Sequence, residues 1–187
     1  MNLFILDSDA EKAARLYQDL HVNKIVCEGS QMLATAYPLQ RLAEPDCPRT
    51  QKNTPRVHSY LKHPMTMWVN QCYSNFHWAR QHILALSDEY TFRTGKTHFT
   101  LDFLLWCLKN DPSLPSGQQT IQPQCFSTYP ECIVPNNPVE GYRNYYNKAK
   151  AVFNFRGKPV AASWTKRSVP EWFKSAIINH GTIQSTI

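Results

Sequence analysis

The clearest structural signal in this chain lies in residues 69–95, which read VNQCYSNFHWARQHILALSDEYTFRTG. Apolar side chains recur there at alternating intervals of three and four residues: Val69, Cys72, Phe76, Ala79, Ile83, Leu86 and Tyr90. That spacing places them on one face of an α-helix, as is typical of a helix that buries one side. Glycine readily adopts the left-handed conformation that ends many helices, so we expect this helix to end at Gly95.

Shorter helices are expected on both sides of this one. Ser8 and Glu11 have the spacing of a capping box, in which two side chains satisfy free backbone N–H groups at a helix start. Further helices are expected over residues 22–36, 100–109, 139–151 and 170–178. The first of these should end before Pro38, and the last has Pro170 at its first position, where proline is well tolerated.

Two long segments, 37–65 and 111–138, are rich in proline and polar residues and are expected to be loops. Long loops in compact domains are often functional. Residues 152–164 carry β-prone pairs on both sides of Gly157, which is compatible with a small hairpin, and residues 2–6 fit either a strand or an extended lead-in. The predicted fold is therefore mainly α, a single compact helical domain over residues 1–187 with long Pro-rich loops and a small hairpin.

Composition sets the class of protein. With 187 residues, 42% of them hydrophobic, the chain can form one packed core. Its apolar runs are too short to cross a bilayer and its first residues lack the basic region of a signal peptide, so we expect a cytoplasmic protein without a membrane partner. The six cysteines form no CxxC pair, and we expect small buried thiols and neither a metal nor another cofactor.

The net charge of +6 is unevenly distributed. Residues 1–141 hold 12 Lys and Arg against 13 Asp and Glu, whereas residues 142–187 hold 8 against 1. Aromatic residues are interleaved with this basic end. Basic groups neutralise phosphates and aromatic rings stack on or beside bases, so the pattern fits nucleic-acid binding. It fits equally well a solvated basic face over an aromatic core.

A polar stripe of four residues follows the second helix: His21, Lys24, Glu28 and Gln31. Their spacing places all four on one face. An imidazole, an amine, a carboxylate and an amide are the groups that acid–base chemistry and amide recognition need. The alternative is a solvent-facing stripe with an ordinary ion pair between Lys24 and Glu28, and periodicity alone favours that alternative.

Two further polar groups stand out. On the long helix, Asn75, Glu89 and Arg93 share roughly one face, and Lys96 follows the helix. The Gly95-Lys96-Thr97 triplet resembles the end of a P-loop, but Tyr90 replaces the first glycine and a helix precedes it, so nucleoside triphosphate binding is excluded. Near the end of the chain, Thr165-Lys166-Arg167 can hold phosphates, or can form a helix-entry loop anchored by tryptophans.

The run Asp19-Leu20-His21, with Glu28 seven residues after the histidine, resembles the catalytic helix of the phage-type pyrimidine-dimer DNA glycosylases. The bacterial branch of that family shares further motifs in the same order. These are a start like Met1-Asn2-Leu3-Phe4, Glu28 followed by Gln31, a Tyr-x-x-His-Pro motif at residues 60–64, and a helix like Asp88-Glu89-Tyr90 followed by Arg93, Gly95 and Lys96. The chain is also similar to a group of tailed-phage proteins that share its ending at residues 164–173.

The resemblance implies a DNA N-glycosylase or a closely related base-processing enzyme, with or without lyase activity, that acts on damaged or modified pyrimidines. In the family the glutamate acts at the deoxyribose and the histidine lies near the substrate, which implies those roles for Glu28 and His21. Lys24 or the amine of Met1 would be the imine-forming nucleophile. The residues expected to bind substrate are Gln31, His63, Asn75 and Arg93, and those expected to bind duplex DNA with a flipped nucleotide are Lys96, Lys166 and Arg167.

This chain departs from the family pattern in two places. The best-known enzymes use the N-terminal amine exposed by removal of methionine, whereas Asn2 is a residue that normally blocks that removal. The arginines that flank the family's glutamate correspond to Cys27 and Gln31. Two alternatives remain at this point: a phage enzyme that hypermodifies DNA bases on the same scaffold, and a non-enzymatic DNA-binding phage protein in which the polar stripe is structural. The oligomeric state is not predicted.

Overall fold

The computed structural model of this protein describes residues 2–155, 157–174, 176–179 and 182–185, with the backbone alone for Phe155 and the last two ranges. Within those residues the chain is mainly helical, as the sequence predicts. The helices are α1 (Ala10–Arg15), α2 (Asp19–Ala34), α3 (Leu39–Ala43), α4 (Pro64–Val69), α5 (Tyr73–Thr94), α6 (Leu101–Lys109) and α7 (Pro138–Ala149). The strands are β1 (Val152–Phe155), β2 (Lys158–Ala161), β3 (Ala176–Asn179) and β4 (Thr182–Ser185).

Helix α5 is the centre of the fold and packs against α1, α2, α4 and α6. The apolar stripe is confirmed from Phe76 onward, although its first two positions precede the helix: Val69 ends α4 and Cys72 is the N-cap of α5. Helix α2 approaches α5 closely at Gly29, where an added Cβ would lie 2.6 Å from Cγ1 of Ile83. At its other end α5 stops at Gly95 with a φ of +73°, as predicted.

The first residues form an extended lead-in and not a strand. Leu3, Ile5 and Leu6 are completely buried. Side chains satisfy part of its backbone, since Phe4 N donates to the Tyr17 hydroxyl at 2.6 Å and Leu6 O accepts from Nε of Arg143 at 2.9 Å. The lead-in therefore runs through the core beside α2 and α7.

Helix starts differ in detail from the prediction. The capping box of Ser8 and Glu11 is wrong by one residue, because Oδ1 of Asp9 accepts from Lys12 N at 2.8 Å and Asp9 is the N-cap of α1. Helix α2 begins three residues before the predicted start. The predicted helices over 100–109 and 139–151 are confirmed as α6 and α7.

The predicted helix over residues 170–178 is wrong. Only one turn forms after Pro170, closed by a hydrogen bond from Phe173 N to Pro170 O at 2.9 Å. Asn147 of α7 then forms two hydrogen bonds with the backbone: its Nδ2 donates to Trp172 O at 3.1 Å and its Oδ1 accepts from Lys174 N at 2.7 Å. These contacts use groups that a continuing helix would need, and residues 176–179 form β3.

The hairpin around Gly157 is confirmed: β1 pairs antiparallel with β2, and Gly157 has a φ of +79°. A second antiparallel hairpin, β3 with β4, was not predicted. The segment 37–65 contains α3 and otherwise runs without a helix or strand to Pro64, and the segment 111–138 contains a 3₁₀ turn at Pro130–Cys132. Both thus retain the loop character expected of them.

All six cysteines are free thiols. Four are buried as expected, and two, Cys27 and Cys125, are half-buried. No helix in the described part of the chain is both long enough and apolar enough to span a bilayer.

Candidate functional site

The carboxylate of Glu28 lies against the N-terminal lead-in. Its Oε2 accepts from the backbone N of Asn2 at 3.2 Å, and Nζ of Lys24 lies 3.6 Å from its Oε1. The Glu28 side chain is 19% exposed, whereas that of Lys24 is 65% exposed. The ion pair expected for a surface stripe is therefore present, but its carboxylate is mostly shielded from solvent. Met1, whose amine is the other expected nucleophile, lies outside the described residues.

His21 stands at the buried end of the polar stripe. Its ring stacks on Phe4 with centroids 4.6 Å apart, and its Nδ1 lies 2.6 Å from the hydroxyl of Tyr146. Burial, aided by the positive charges of Lys150 and Lys24, lowers the pKa of His21 to about 3. The imidazole is therefore neutral near pH 7, and it can orient a substrate by hydrogen bonding but does not carry a charge there.

His63 approaches the same carboxylate from the start of α4. Its Nδ1 accepts from Met65 N at 3.2 Å and so caps the helix, which leaves Nε2 as the donor of the neutral ring. Burial lowers the pKa of His63, and the nearby negative charge of Glu28 acts in the opposite direction. The lead-in thus contacts Glu28, and the residue before α4 lies near enough to feel its charge, although both are far from it in sequence.

A groove of about 340 Å³ opens between α2 and residues 50–59, and Glu28 itself is not part of its wall. Cys27 and Gln31 line it from α2, and Arg56 lines it from the opposite segment. Phe99 and Thr100 also line it. Gln31, which the sequence predicts to bind substrate, therefore faces a concave surface within one helical turn of Glu28.

Asn75 does not join this site. It is completely buried, and its Nδ2 donates to Trp68 O and to Oγ1 of Thr120, each at 2.9 Å. Its Oδ1 accepts from Thr120 N at 2.9 Å. The Asn75 amide thus fixes the 111–138 segment to α5, and its hydrogen-bonding groups are used within the protein.

Arg93 is also engaged inside the protein. Its guanidinium donates to Glu89 Oε1 at 2.8 Å, to Asp19 Oδ1 at 2.9 Å and to the backbone oxygens of Tyr17 and Arg15 at 2.8 and 3.1 Å. Burial favours the neutral form of Glu89, but hydrogen bonds from Arg167 and Arg93 outweigh that effect and hold its pKa below the usual value. Arg93 therefore ties α5 to the start of α2.

The two basic residues near the end of the chain are engaged as well. Arg167 donates through Nε and Nη2 to both oxygens of Glu89, at 2.9 and 2.8 Å. Nζ of Lys166 donates to Phe92 O at 2.7 Å, at the C-terminal end of α5 where a cation is favourable. Both residues bind the helical body, whereas Lys96, just past α5, is exposed. All three lie apart from the polar stripe in sequence and in the contacts that they make.

Sequence reasoning missed Asn2, Tyr146 and Arg56 as members of the site region. One available signal was local charge: no Asp or Glu occurs between Asp46 and Asp88, whereas Lys and Arg occur five times there. Four of those five fall within residues 49–62, beside the groove: Arg49, Lys52, Arg56 and Lys62. We refer to residues 49–62 as the cationic segment. The nearly balanced charge of residues 1–141 as a whole conceals this local excess of positive charge.

In the described part of the chain, no group of three or more His, Cys, Asp or Glu side chains is arranged to hold a metal ion. Comparisons with protein-family models, with curated proteins and with solved structures found no match for this chain.

Proposed function

We propose that this protein processes DNA bases as an N-glycosylase, with Glu28 as its catalytic carboxylate. The observation that carries the proposal is a largely shielded carboxylate that accepts from the Asn2 backbone, lies near enough to His63 for their charges to interact, and stands on α2 between two residues of a groove wall, Cys27 and Gln31. A purely structural surface ion pair needs none of these neighbours. Acid–base chemistry at a sugar needs a carboxylate, neutral hydrogen-bonding groups and a recess for the base.

The reaction breaks the bond between C1′ of the deoxyribose and the base nitrogen. The base leaves with the bonding electrons and takes up a proton, while positive charge develops on the sugar. The Glu28 carboxylate stabilises that charge and accepts a proton from the water whose oxygen bonds to C1′. Neutral His21 and His63 orient the sugar or the base through hydrogen bonds.

Lys24 provides a second route, in which its neutral amine attacks C1′ and the base leaves with the bonding electrons and takes up a proton. Cleavage of the C1′–O4′ bond, with protonation of O4′, then gives an imine. Its Nζ lies 3.6 Å from Glu28 Oε1, so the carboxylate can accept the proton that the amine must lose before attack. Because the Lys24 side chain is 65% exposed, it is little desolvated before DNA binds. Closure of DNA over the site would shield the amine from solvent, with Glu28 as its proton acceptor.

The cationic segment, which ends one residue before His63, suits a DNA duplex with an extruded nucleotide. Arg49, Lys52 and Lys62 of the cationic segment are exposed and can contact phosphates. Tyr60 is 68% exposed and has a φ of +54°, at a turn closed by a hydrogen bond from His63 N to its carbonyl. An exposed aromatic ring beside such a site can fill the gap that a displaced base leaves.

The test is incubation of the full chain with duplex DNA that contains damaged or modified pyrimidines, with and without borohydride. Mass spectrometry of the small-molecule fraction detects released bases, and gel analysis detects trapped protein–DNA adducts. Released base without an adduct indicates hydrolysis, and released base with an adduct indicates an imine. Altered nucleosides without base release would replace the proposal by base hypermodification. No product from any of these substrates would overturn it in favour of a non-enzymatic role.

A further inference from the structure

Arg56 is a buried arginine in the wall of the groove beside Glu28. It is only 9% exposed; its Nε donates to Pro48 O at 3.1 Å, and its guanidinium lies 4.0 Å from the centre of the Phe103 ring. Among the described residues, no carboxylate forms an ion pair with it and no acceptor takes a hydrogen bond from Nη1 or Nη2. Nη1 and Nη2 are not enclosed in the core, because both keep some solvent-accessible surface.

The other buried arginines of the described chain are paired. Arg80 donates to Asp111 Oδ1 at 2.7 Å, and Arg93 donates to Glu89 Oε1 at 2.8 Å. A buried cation without a counter-ion is costly, and burial accordingly lowers the pKa of Arg56. Arg56 can therefore form an ion pair with an anion that enters through the groove.

The remaining groove wall suits an oxyanion. Apolar groups of Ala34, Val57 and Phe99 form part of it. No Asp or Glu is part of it, and its other residues present hydroxyl, amide and ammonium groups: Ser30, Gln31, Thr50, Gln51, Lys52, Thr54, Ser59 and Thr100. A turn holds part of this wall in place, because Thr50 N donates to Thr54 O at 3.0 Å and the two threonine hydroxyls lie 2.7 Å apart. Planar guanidinium and hydroxyl donors are the groups that proteins use to hold phosphate.

We propose that Arg56 and this groove bind a phosphate group, either a diester phosphate of a DNA strand or the monoester of a free nucleotide. Phosphate binding rests on the geometry of Arg56 and of the groove wall, and its assignment to a DNA strand rests on the proposed function. Gln31 and Cys27 share the groove wall and flank Glu28 on α2. A phosphate held by Arg56 thus fixes the register of a nucleotide chain relative to that carboxylate.

The experiment is a titration of the ¹⁵N-labelled full chain, followed by amide and arginine Nε–H signals. The probes are inorganic phosphate, thymidine 5′-monophosphate and a single-stranded oligonucleotide. We expect shifts confined to the groove residues and the Arg56 Nε–H with phosphate up to roughly 20 mM, a range that covers the millimolar affinity of a small anion. A preference for the monophosphate identifies a free nucleotide as ligand, and a preference for the oligonucleotide identifies a strand.

Arg56→Gln tests the guanidinium, because the glutamine amide can still donate to Pro48 O. We expect it to weaken phosphate binding about tenfold or more. Lys109→Gln removes one positive charge at an exposed position outside the groove wall and should change affinity less than about twofold. Equal losses in both variants would reduce the effect to general charge and overturn the site.

The wild-type titration stands even if Arg56→Gln fails to fold. Absence of groove shifts with all three probes overturns the phosphate site. The two proposals fail separately, since Glu28→Gln should keep phosphate binding. Base release without phosphate binding removes this inference alone, and phosphate binding without base release removes the catalytic proposal alone.

Discussion

The hydroxyl of Tyr146 on α7 lies 2.6 Å from Nδ1 of His21 on α2. The same oxygen accepts from the backbone N of Gln18 at 3.3 Å, so its own proton is available for Nδ1. Burial raises the pKa of Tyr146 and keeps the hydroxyl protonated. The imidazole of His21 is thereby held as the tautomer with its proton on Nε2.

Tyr146→Phe should remove the hydrogen bond that fixes the tautomer of His21. Removing the hydroxyl leaves Nδ1 and Gln18 N without this partner in the core, and we expect a loss of unfolding free energy of about 1–3 kcal/mol. The ¹⁵N shifts of His21 should move from those of a single tautomer toward a mixture. Tyr145→Phe is the matched control, because the half-buried Tyr145 ring packs on Phe126 and its hydroxyl plays no part in this contact. Unchanged His21 shifts in Tyr146→Phe would disprove the assignment.

The buried histidines should make the protein less stable as the pH falls from 6.5 to 5. Burial lowers the pKa of His21 to about 3 and that of His82 to about 4. In this window the unfolded chain binds protons that the folded chain does not, so the free energy of unfolding decreases by up to about 1.4 kcal/mol per pH unit for each histidine. Urea unfolding at several pH values measures the slope. A double variant, His21→Gln with His82→Gln, should flatten it, and an unchanged slope would contradict the account.

Arg167→Gln should affect stability more than DNA binding. Arg167 donates two hydrogen bonds to Glu89, whose side chain is 3% exposed. Loss of one guanidinium from this buried carboxylate should lower the unfolding free energy by about 1–3 kcal/mol, with Arg93 still in place. Chemical denaturation provides the measurement and fluorescence anisotropy with duplex DNA the comparison. A large loss of DNA affinity at unchanged stability would instead restore Arg167 as a phosphate contact.

Lys62→Gln should behave in the opposite way. Lys62 is exposed in the cationic segment and should contact a phosphate in the DNA complex. We expect weaker binding with unchanged thermal stability, and a decrease of about 1 in the slope of log affinity against log salt. Lys109→Gln, an exposed lysine at the end of α6, is the control and should leave the slope unaltered. An identical slope for wild type and Lys62→Gln would place the DNA contact elsewhere.

Local sequence pattern was sufficient where local forces decide the structure. The apolar stripe of α5, the glycine that ends it and the turn at Gly157 all follow from the conformations that their own residues prefer. Residues 170–178 were wrongly predicted because Asn147, far away in sequence, captures the backbone of Trp172 and Lys174. Tertiary contacts there override the helix start at Pro170.

The candidate site shows the same limit. Periodicity correctly places His21 and Glu28 on one face of α2, yet it does not reveal that their surroundings differ. The lead-in and α7 cover the His21 end, so that Phe4 and Tyr146 bury the imidazole while Lys24 on the same face stays exposed. Contacts across many residues of sequence, such as Asn2 with Glu28, leave no periodic trace in the sequence.

The most direct measurement compares base release by Glu28→Gln with base release by wild type. The amide keeps the shape of the side chain and an oxygen that can accept from Asn2 N, but it cannot stabilise a cationic sugar or accept the proton of water. We expect release to fall by about a hundredfold or more, with fold and DNA affinity preserved. Glu11→Gln, which alters another i,i+4 ion pair whose two side chains are exposed, should release base at the wild-type rate. If Glu28→Gln retains release within about twofold of wild type, a catalytic role for this carboxylate is contradicted.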